Sequence, residues 1–180
     1  MFKPEYAALL VIDMQEKLFP AMSGKETLET NTVKLIKGAQ EFGIPVIVTE
    51  QNPVGLGPTI PSIASLLPDM EPLRKFSFSC PREKGFADVL AGLRKQNRFQ
   101  ILLAGIEAHI CIYQTAMDLR GHDIQVVADC ISSRTPENRD TAIRRMETEG
   151  LRMTTTEMIL FELLGTSTSE QFKNISAIVK

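Results

Sequence analysis

Apolar residues in this chain gather into short solid runs separated by amphipathic stretches. Ala7 to Asp13, Pro45 to Thr49, Ile101 to Gly105 and Ile124 to Asp129 are dense in Val, Ile and Leu. Runs without polar alternation predict strands buried on both faces, as at the centre of a parallel sheet. Weaker edge strands are predicted at Leu73–Lys75 and Leu151–Thr155. Between them lie helical periodicities. Glu26 to Phe42 carries Leu28, Val33, Leu35, Ile36 and Ala39 at near-helical spacing, and Gly43 follows as a C-terminal glycine. Glu83 to Lys95 gathers Phe86, Val89, Leu90 and Leu93 on one face. His109 to Arg120 ends at Gly121, and Pro136 to Glu149 opens with proline and ends at Gly150. Two C-terminal helices are predicted at Glu157–Leu164 and Thr168–Ile178, the second with Thr166-Ser167-Thr168-Ser169 as capping candidates.

Strand and helix alternate, and right-handed crossovers turn that order into a doubly wound α/β fold. The expectation is a three-layer, Rossmann-like architecture: a mainly parallel six-stranded sheet with helices on both faces, in one domain over residues 1–180. One connection stands out. Glu50 to Pro72 holds Pro53, Pro58, Pro61, Pro68 and Pro72 with Gly55 and Gly57, and it leaves a strand's carboxyl end, where α/β sheets bind ligands. It reads as a structured loop.

Composition narrows the function classes. Twenty Lys and Arg against 22 Asp and Glu give a formal charge of −2, which offers no reason to expect nucleic acid or an anionic membrane as partner. No apolar run approaches the roughly 18 residues of a spanning helix, and no signal-like segment opens the sequence, so a cytoplasmic location is expected. Cys80, Cys111 and Cys130 are odd in number and lack C-x-x-C spacing, which suggests neither a disulfide framework nor a cysteine zinc site. A reducing compartment fits.

Candidate chemistry concentrates at three strand ends. Asp13 closes the first apolar run, Lys75 closes a short edge strand before Phe76-Ser77-Phe78, and Cys111 follows the run that ends at Gly105. A thiol in the first turn of a helix feels the positive end of its dipole, so thiolate is expected to be favoured at Cys111. A carboxylate, a cation and a thiol together suit nucleophilic acyl substitution. Each has a plainer reading: a lone cysteine here is usually a small buried hydrophobe, Asp13 can cap a turn, and an isolated lysine is usually solvated. Cys80 and Cys130 have no acid or base of their own and read as bystanders.

Leu10-Val11-Ile12-Asp13-Met14-Gln15, Lys75-Phe76-Ser77-Phe78 and Gly105-Ile106-Glu107-Ala108-His109-Ile110-Cys111 resemble, in order and spacing, the signature segments of the isochorismatase-like cysteine hydrolases. The resemblance implies the corresponding hydrolase fold, Asp13 as general base, Lys75 as electrostatic partner and Cys111 as nucleophile. It further implies a cis peptide at Ile106–Glu107, with the backbone N–H groups of Glu107 and Cys111 forming an oxyanion hole, and a homo-oligomer. The implied reaction is hydrolysis of a C–N, amide-type bond in a small molecule through a thioester.

The departures matter as much. Nicotinamidases of the family carry an Asp-x-His and further histidines that hold a metal. This chain reads Thr49-Glu50-Gln51-Asn52-Pro53 there, and its only histidines are His109 and His122, so no metal or other cofactor is expected. Isochorismatases proper lack the cysteine, which argues against vinyl ether cleavage. Phe19, Gln51, Asn52, Phe76, Phe78 and His109 are candidates for the substrate pocket. His109 lies two residues before Cys111, on a diverging side of the turn, and is not favoured as its base. The alternative is an oligomeric scaffold or protein-interaction module that keeps the triad without appreciable turnover.

Overall fold

The computed structural model describes residues 1–180. In chain order the elements are β1 (Ala7–Ile12), α1 (Lys25–Glu41), β2 (Val46–Gln51), α2 (Pro53–Leu56), α3 (Pro61–Ala64), β3 (Leu73–Lys75), α4 (Lys84–Lys95) and β4 (Gln100–Ile106). There follow α5 (Tyr113–Asp118), β5 (Asp123–Ser132), α6 (Pro136–Thr148), β6 (Arg152–Thr154), α7 (Thr156–Leu164) and α8 (Phe172–Val179). The six strands form one all-parallel sheet in the order β3-β2-β1-β4-β5-β6. The chain winds outward from β1 through β2 to β3, then crosses back to β4. The carboxyl ends of β1 and β4 therefore flank the switch point, where an open α/β sheet binds its ligand.

Side-chain alternation divides the core into two layers. Leu9 and Val11 of β1, with Leu102 and Ala104 of β4, pack with Leu28, Leu35 and Ile36 of α1 and Ile159 and Leu163 of α7. Leu10 and Ile12, with Ile101 and Leu103, face Phe86 of α4, Ala116 of α5 and Ala142 and Met146 of α6. The solid apolar runs follow directly, because both faces of the central strands are buried. Helix α8 closes the first layer through Ile175 against Leu160 and Leu164.

Local chemistry fixes the boundaries. Helix α1 ends in a left-handed Gly43 whose N–H reaches Gln40 O, while Ile44 N–H reaches Ala39 O, the two bonds of a Schellman ending. The proline-rich connection folds into α2 and α3, each opening with a proline whose missing N–H is no loss in a first turn. Thr135 and Thr155 cap α6 and α7 by accepting the amides of Asn138 and Met158.

Three expectations shift. The helix predicted at His109–Arg120 begins instead as a wide π-type turn, Ala108–Ile112, in which Ile112 N–H reaches back five residues to Glu107 O; α5 then runs only to Asp118. The last helix starts at Phe172, not Thr168, because the hydroxyls of Thr166 and Thr168 bond each other and Ser169 bonds Gln171 in a turn of their own. Strand β5 runs on to Ser132 through a bulge, its register against β4 moving from Leu103/Val126 to Gly105/Ile131.

Gly105 sets the spacing at the switch point. Its φ is +117°, and a Cβ there would lie 2.6 Å from Ile12 N and 2.8 Å from Ile12 C, with Ile12 O closer still. Gly105→Ala is expected to destabilise the protein by at least about 3 kcal/mol, since rigid backbone must move and the φ is foreign to L-residues. Gly92 in α4 has nothing within 4 Å of an added Cβ, and Gly92→Ala is expected to stabilise by about 0.5–1 kcal/mol. Thermal unfolding of the two variants checks both signs.

Candidate active site

The sheet delivers its polar residues to one place. At the end of β1, Asp13 leaves the strand in a left-handed conformation, φ 55°, which aspartate tolerates better than most side chains. Its N–H bonds Thr49 O at 3.1 Å, and Oδ1 accepts the Thr49 hydroxyl at 2.7 Å. Oδ2 accepts Lys75 Nζ at 2.6 Å, and both side chains are wholly buried. The same ammonium lies 2.8 Å from Gln51 Oε1, 3.3 Å from the carbonyls of Ser77 and Phe78, and 3.6 Å from Cys111 Sγ. Asp13, Lys75 and Cys111, 98 positions apart at their extremes, thus meet around one Nζ.

The Thr49-Glu50-Gln51 segment divides its work by strand alternation. Thr49 and Gln51 share the face toward Asp13 and Lys75, while Glu50 points the other way and accepts both the N–H and the hydroxyl of Thr59. Gln15, fully buried, continues the link between β1 and β2 past the end of β1: its Oε1 accepts Gln51 N–H, and its Nε2 donates to the carbonyls of Gln51 and Gly57. The proline-rich loop is pinned to β1 by these amides. Nothing in the sequence around Gln15 and Thr49 marks these roles, which emerge only when β1 and β2 lie side by side.

At the end of β4 the Ile106–Glu107 peptide is cis. The amides of Glu107 and Cys111 donate to no turn, loop, cap or side-chain acceptor. Glu107 Oε2 accepts both N and Nε of Arg134, and His109 Nδ1 lies 2.9 Å from Ser133 Oγ, so the loop after β5 braces the turn that carries Cys111. His109 is bound there and not to Cys111.

The remaining pocket candidates separate. Phe19 packs against the first core layer. Asn52 is exposed, left-handed, and bonds Lys75 O through its N–H. Phe76 and Phe78 follow Lys75 in the chain and are 73% and 52% exposed. Nowhere do three or more His, Cys, Asp or Glu side chains gather as they would around a metal ion.

Electrostatics corrects the thiolate expectation. Burial, followed by the charge of Asp13, pushes the Cys111 thiol up to about 12, and the opposing pull of Lys75 does not offset them. The resting sulfur is a thiol. For Lys75, burial works to lower its pKa, but the charge of Asp13 and the hydrogen bond to it, joined by any charge that develops on the neighbouring thiols, prevail and raise it, so it stays an ammonium. Cys80 is less of a bystander than its sequence context suggests. It shares the second core layer with Cys111, its N–H bonds Thr115 Oγ1 at 3.1 Å, and burial pushes its thiol up to about 11 against the pull of Lys75.

With the fold and this cluster described, kinship is plain. Residues 7–158 match the Isochorismatase domain family, and the chain belongs to it. Isochorismatase domain-containing protein 1 of Salmo salar is 38% identical over 183 residues, covering 98% of this chain; the chain spans only 62% of that protein. Isochorismatase domain-containing protein 2 of Xenopus laevis is 36% identical over 177 residues, covering 96% of this chain and 83% of that one. Among solved structures, the MAR1 ribonuclease of Caenorhabditis elegans superposes with a TM-score of 0.90 at 35% identity, covering 99% of this chain and 91% of that chain. The YcaC gene product of Escherichia coli, described as an octameric hydrolase of unknown specificity, shares the fold with a TM-score of 0.86 at 22% identity, covering 99% and 86%. No helix is long and apolar enough to cross a membrane.

Two predictions follow from the charges. Iodoacetamide is expected to modify Cys111 slowly at pH 8, with a rate climbing about tenfold per pH unit and no plateau below pH 9. Asp13→Asn removes the negative neighbour and leaves the ammonium, so it should speed the reaction; Lys75→Met should slow it. Peptide mapping, with Cys80 and Cys130 read in parallel, measures all three, and equal rates would refute the assignment. Glu83 offers a second test. Its Oε2 accepts the amides of Phe76 and Ser77, which hold its carboxyl below the ordinary carboxylate range. A depressed folded pKa contributes stability that is complete above the unfolded value of about 4.3 and is lost as pH falls through the folded value. The stability gap between parent and Glu83→Gln should therefore be present at pH 7 and shrink below pH 4 in urea unfolding.

Proposed function

We propose that the protein is a metal-independent cysteine hydrolase acting on a C–N, amide-type bond of a small molecule. The observation that carries this reading is the buried Lys75 ammonium, 2.6 Å from the Asp13 carboxylate and 3.6 Å from Cys111 Sγ. Asp13 takes the thiol proton as sulfur bonds to the substrate carbonyl carbon, and the carbonyl oxygen gains negative charge. The backbone N–H groups of Glu107 and Cys111 receive that oxyanion, an arrangement in which one donor is worth about 3 kcal/mol of transition-state stabilisation. The tetrahedral adduct collapses, the C–N bond breaks, and Asp13 returns the proton to the departing nitrogen. Water then gives a proton to Asp13 and attacks the thioester; the C–S bond breaks, the acid leaves, and the thiol is restored.

Because the resting sulfur is a thiol, proton transfer is coupled to attack. Lys75 stabilises the thiolate-like sulfur as charge develops, while Asp13 in the same contact supplies the base. The exposed Phe76 and Phe78 supply apolar surface for the substrate, and a homo-oligomer is the proposed assembly. The octameric description of the E. coli relative is in keeping with that proposal.

The test is product release from a panel of small primary and secondary amides, measured as ammonia or amine, with Cys111→Ala as control and intact mass to trap an acyl-enzyme. A thioester adduct and Cys111-dependent release are expected for at least one amide. Single-stranded RNA belongs in the panel, since the C. elegans relative is called a ribonuclease; Cys111-independent RNA cleavage with no amide turnover would replace this reading.

A further inference from the structure

We propose that Gln51 is a positioning residue for Lys75: its carboxamide oxygen takes one ammonium proton without adding charge, and so holds Nζ in line between Asp13 and Cys111. This rests on the hydrolase reading and assigns to Gln51 a part in the triad in place of substrate contact.

The ammonium has three protons and no solvent, since Lys75 is fully buried. Asp13 at 2.6 Å and Gln51 at 2.8 Å are the two short acceptors, leaving the third proton to be shared among Sγ at 3.6 Å and the carbonyls of Ser77 and Phe78 at 3.3 Å. Two firm bonds fix the direction of the third. Gln51 is itself held at every polar group. Gln15 takes its backbone N–H and donates to its backbone O, and its own Nε2 donates to Phe76 O at 2.8 Å. That last bond also fixes which end of the amide is oxygen, because a flipped amide would set Nε2 against an ammonium and Oε1 against a carbonyl. The sheet supplies the placement, as Gln51 and Lys75 are register partners across β2 and β3.

Neutrality is what makes glutamine suited to the position. A carboxylate there would give Lys75 a second negative partner and oppose charge on the sulfur, as Asp13 already does. Gln51→Glu is nearly isosteric and adds that charge, while also replacing the Nε2 donor to Phe76 O with an oxygen. At fixed pH its Cys111 alkylation rate should fall at least about tenfold, the effect of a charge held on the other side of Nζ from the sulfur, about 6 Å away or less, in a semi-buried site. Cys130 should be unchanged. Gln51→Met keeps the volume and removes the acceptor; with 15N-labelled lysine, the slowly exchanging ammonium correlation of Lys75 should broaden or vanish. Circular dichroism and thermal unfolding of both variants establish that the fold is kept.

If both variants match the parent in alkylation rate and ammonium signal while Lys75→Met slows Cys111, Gln51 merely fastens the loop and the proposal is overturned. If Lys75→Met itself leaves the Cys111 rate unchanged, the triad reading fails first and takes this one with it.

Discussion

An ammonium buried against a carboxylate is the constraint around which the molecule is arranged. Removing two charges from water costs several kcal/mol per ion, and their attraction offsets this only when the remaining donors and acceptors are also satisfied. Here they are. Asp13 spends one oxygen on Lys75 and the other on the Thr49 hydroxyl, while Lys75 finds Gln51 and two backbone carbonyls besides. The partners come from three strand ends, so the pair exists only if β1, β2 and β3 finish at the same level. The parallel register is thus set by polar accounting at the carboxyl end as well as by apolar packing along the strands.

Bringing the sulfur to that pair requires the fourth strand. Gly105 stands opposite Ile12, the residue before Asp13, and its backbone approaches so closely that a side chain has no room. The turn that carries Cys111 follows immediately, braced by Arg134 on Glu107 and Ser133 on His109. The β5 bulge serves the same end, since it lets that strand run far enough to carry Ser133 and Arg134 beside the turn.

Much of this was legible in the sequence, for identifiable reasons. The central strands are solid apolar runs because both faces are covered, and Asp13, Lys75 and Cys111 stand out because charged or nucleophilic residues break those runs at their ends. What escaped depends on relations between strands. Gln51 reads as one more amide in a loop until β2 and β3 are paired and its partner becomes Lys75, 24 residues away. The apolar run ends at Asp129, yet β5 continues to Ser132, with Asp129 accepting the amide and hydroxyl of Thr156 and Ser132 donating to Ser23 O. The π-type turn left no periodicity signal, because one extra residue in a single turn is invisible against helical spacing.

The thiolate expectation failed for a more instructive reason. A helix start and a nearby cation both lower a thiol's pKa, and both can be guessed from sequence; burial and the distance to a carboxylate cannot. In the folded protein the unguessable effects are larger, and Cys111 is held up near 12. Under the proposed chemistry that is consistent with function. A standing thiolate beside a buried carboxylate would place two negative charges on one ammonium, whereas proton transfer to Asp13 during attack keeps one negative charge on the Asp13–Cys111 pair. As the sulfur becomes thiolate-like, the carboxyl becomes neutral, so the ammonium's attraction moves from oxygen to sulfur over a short distance within the same contact. On this proposal the site stabilises the transition state without the resting protein having to carry a standing, oxidisable thiolate.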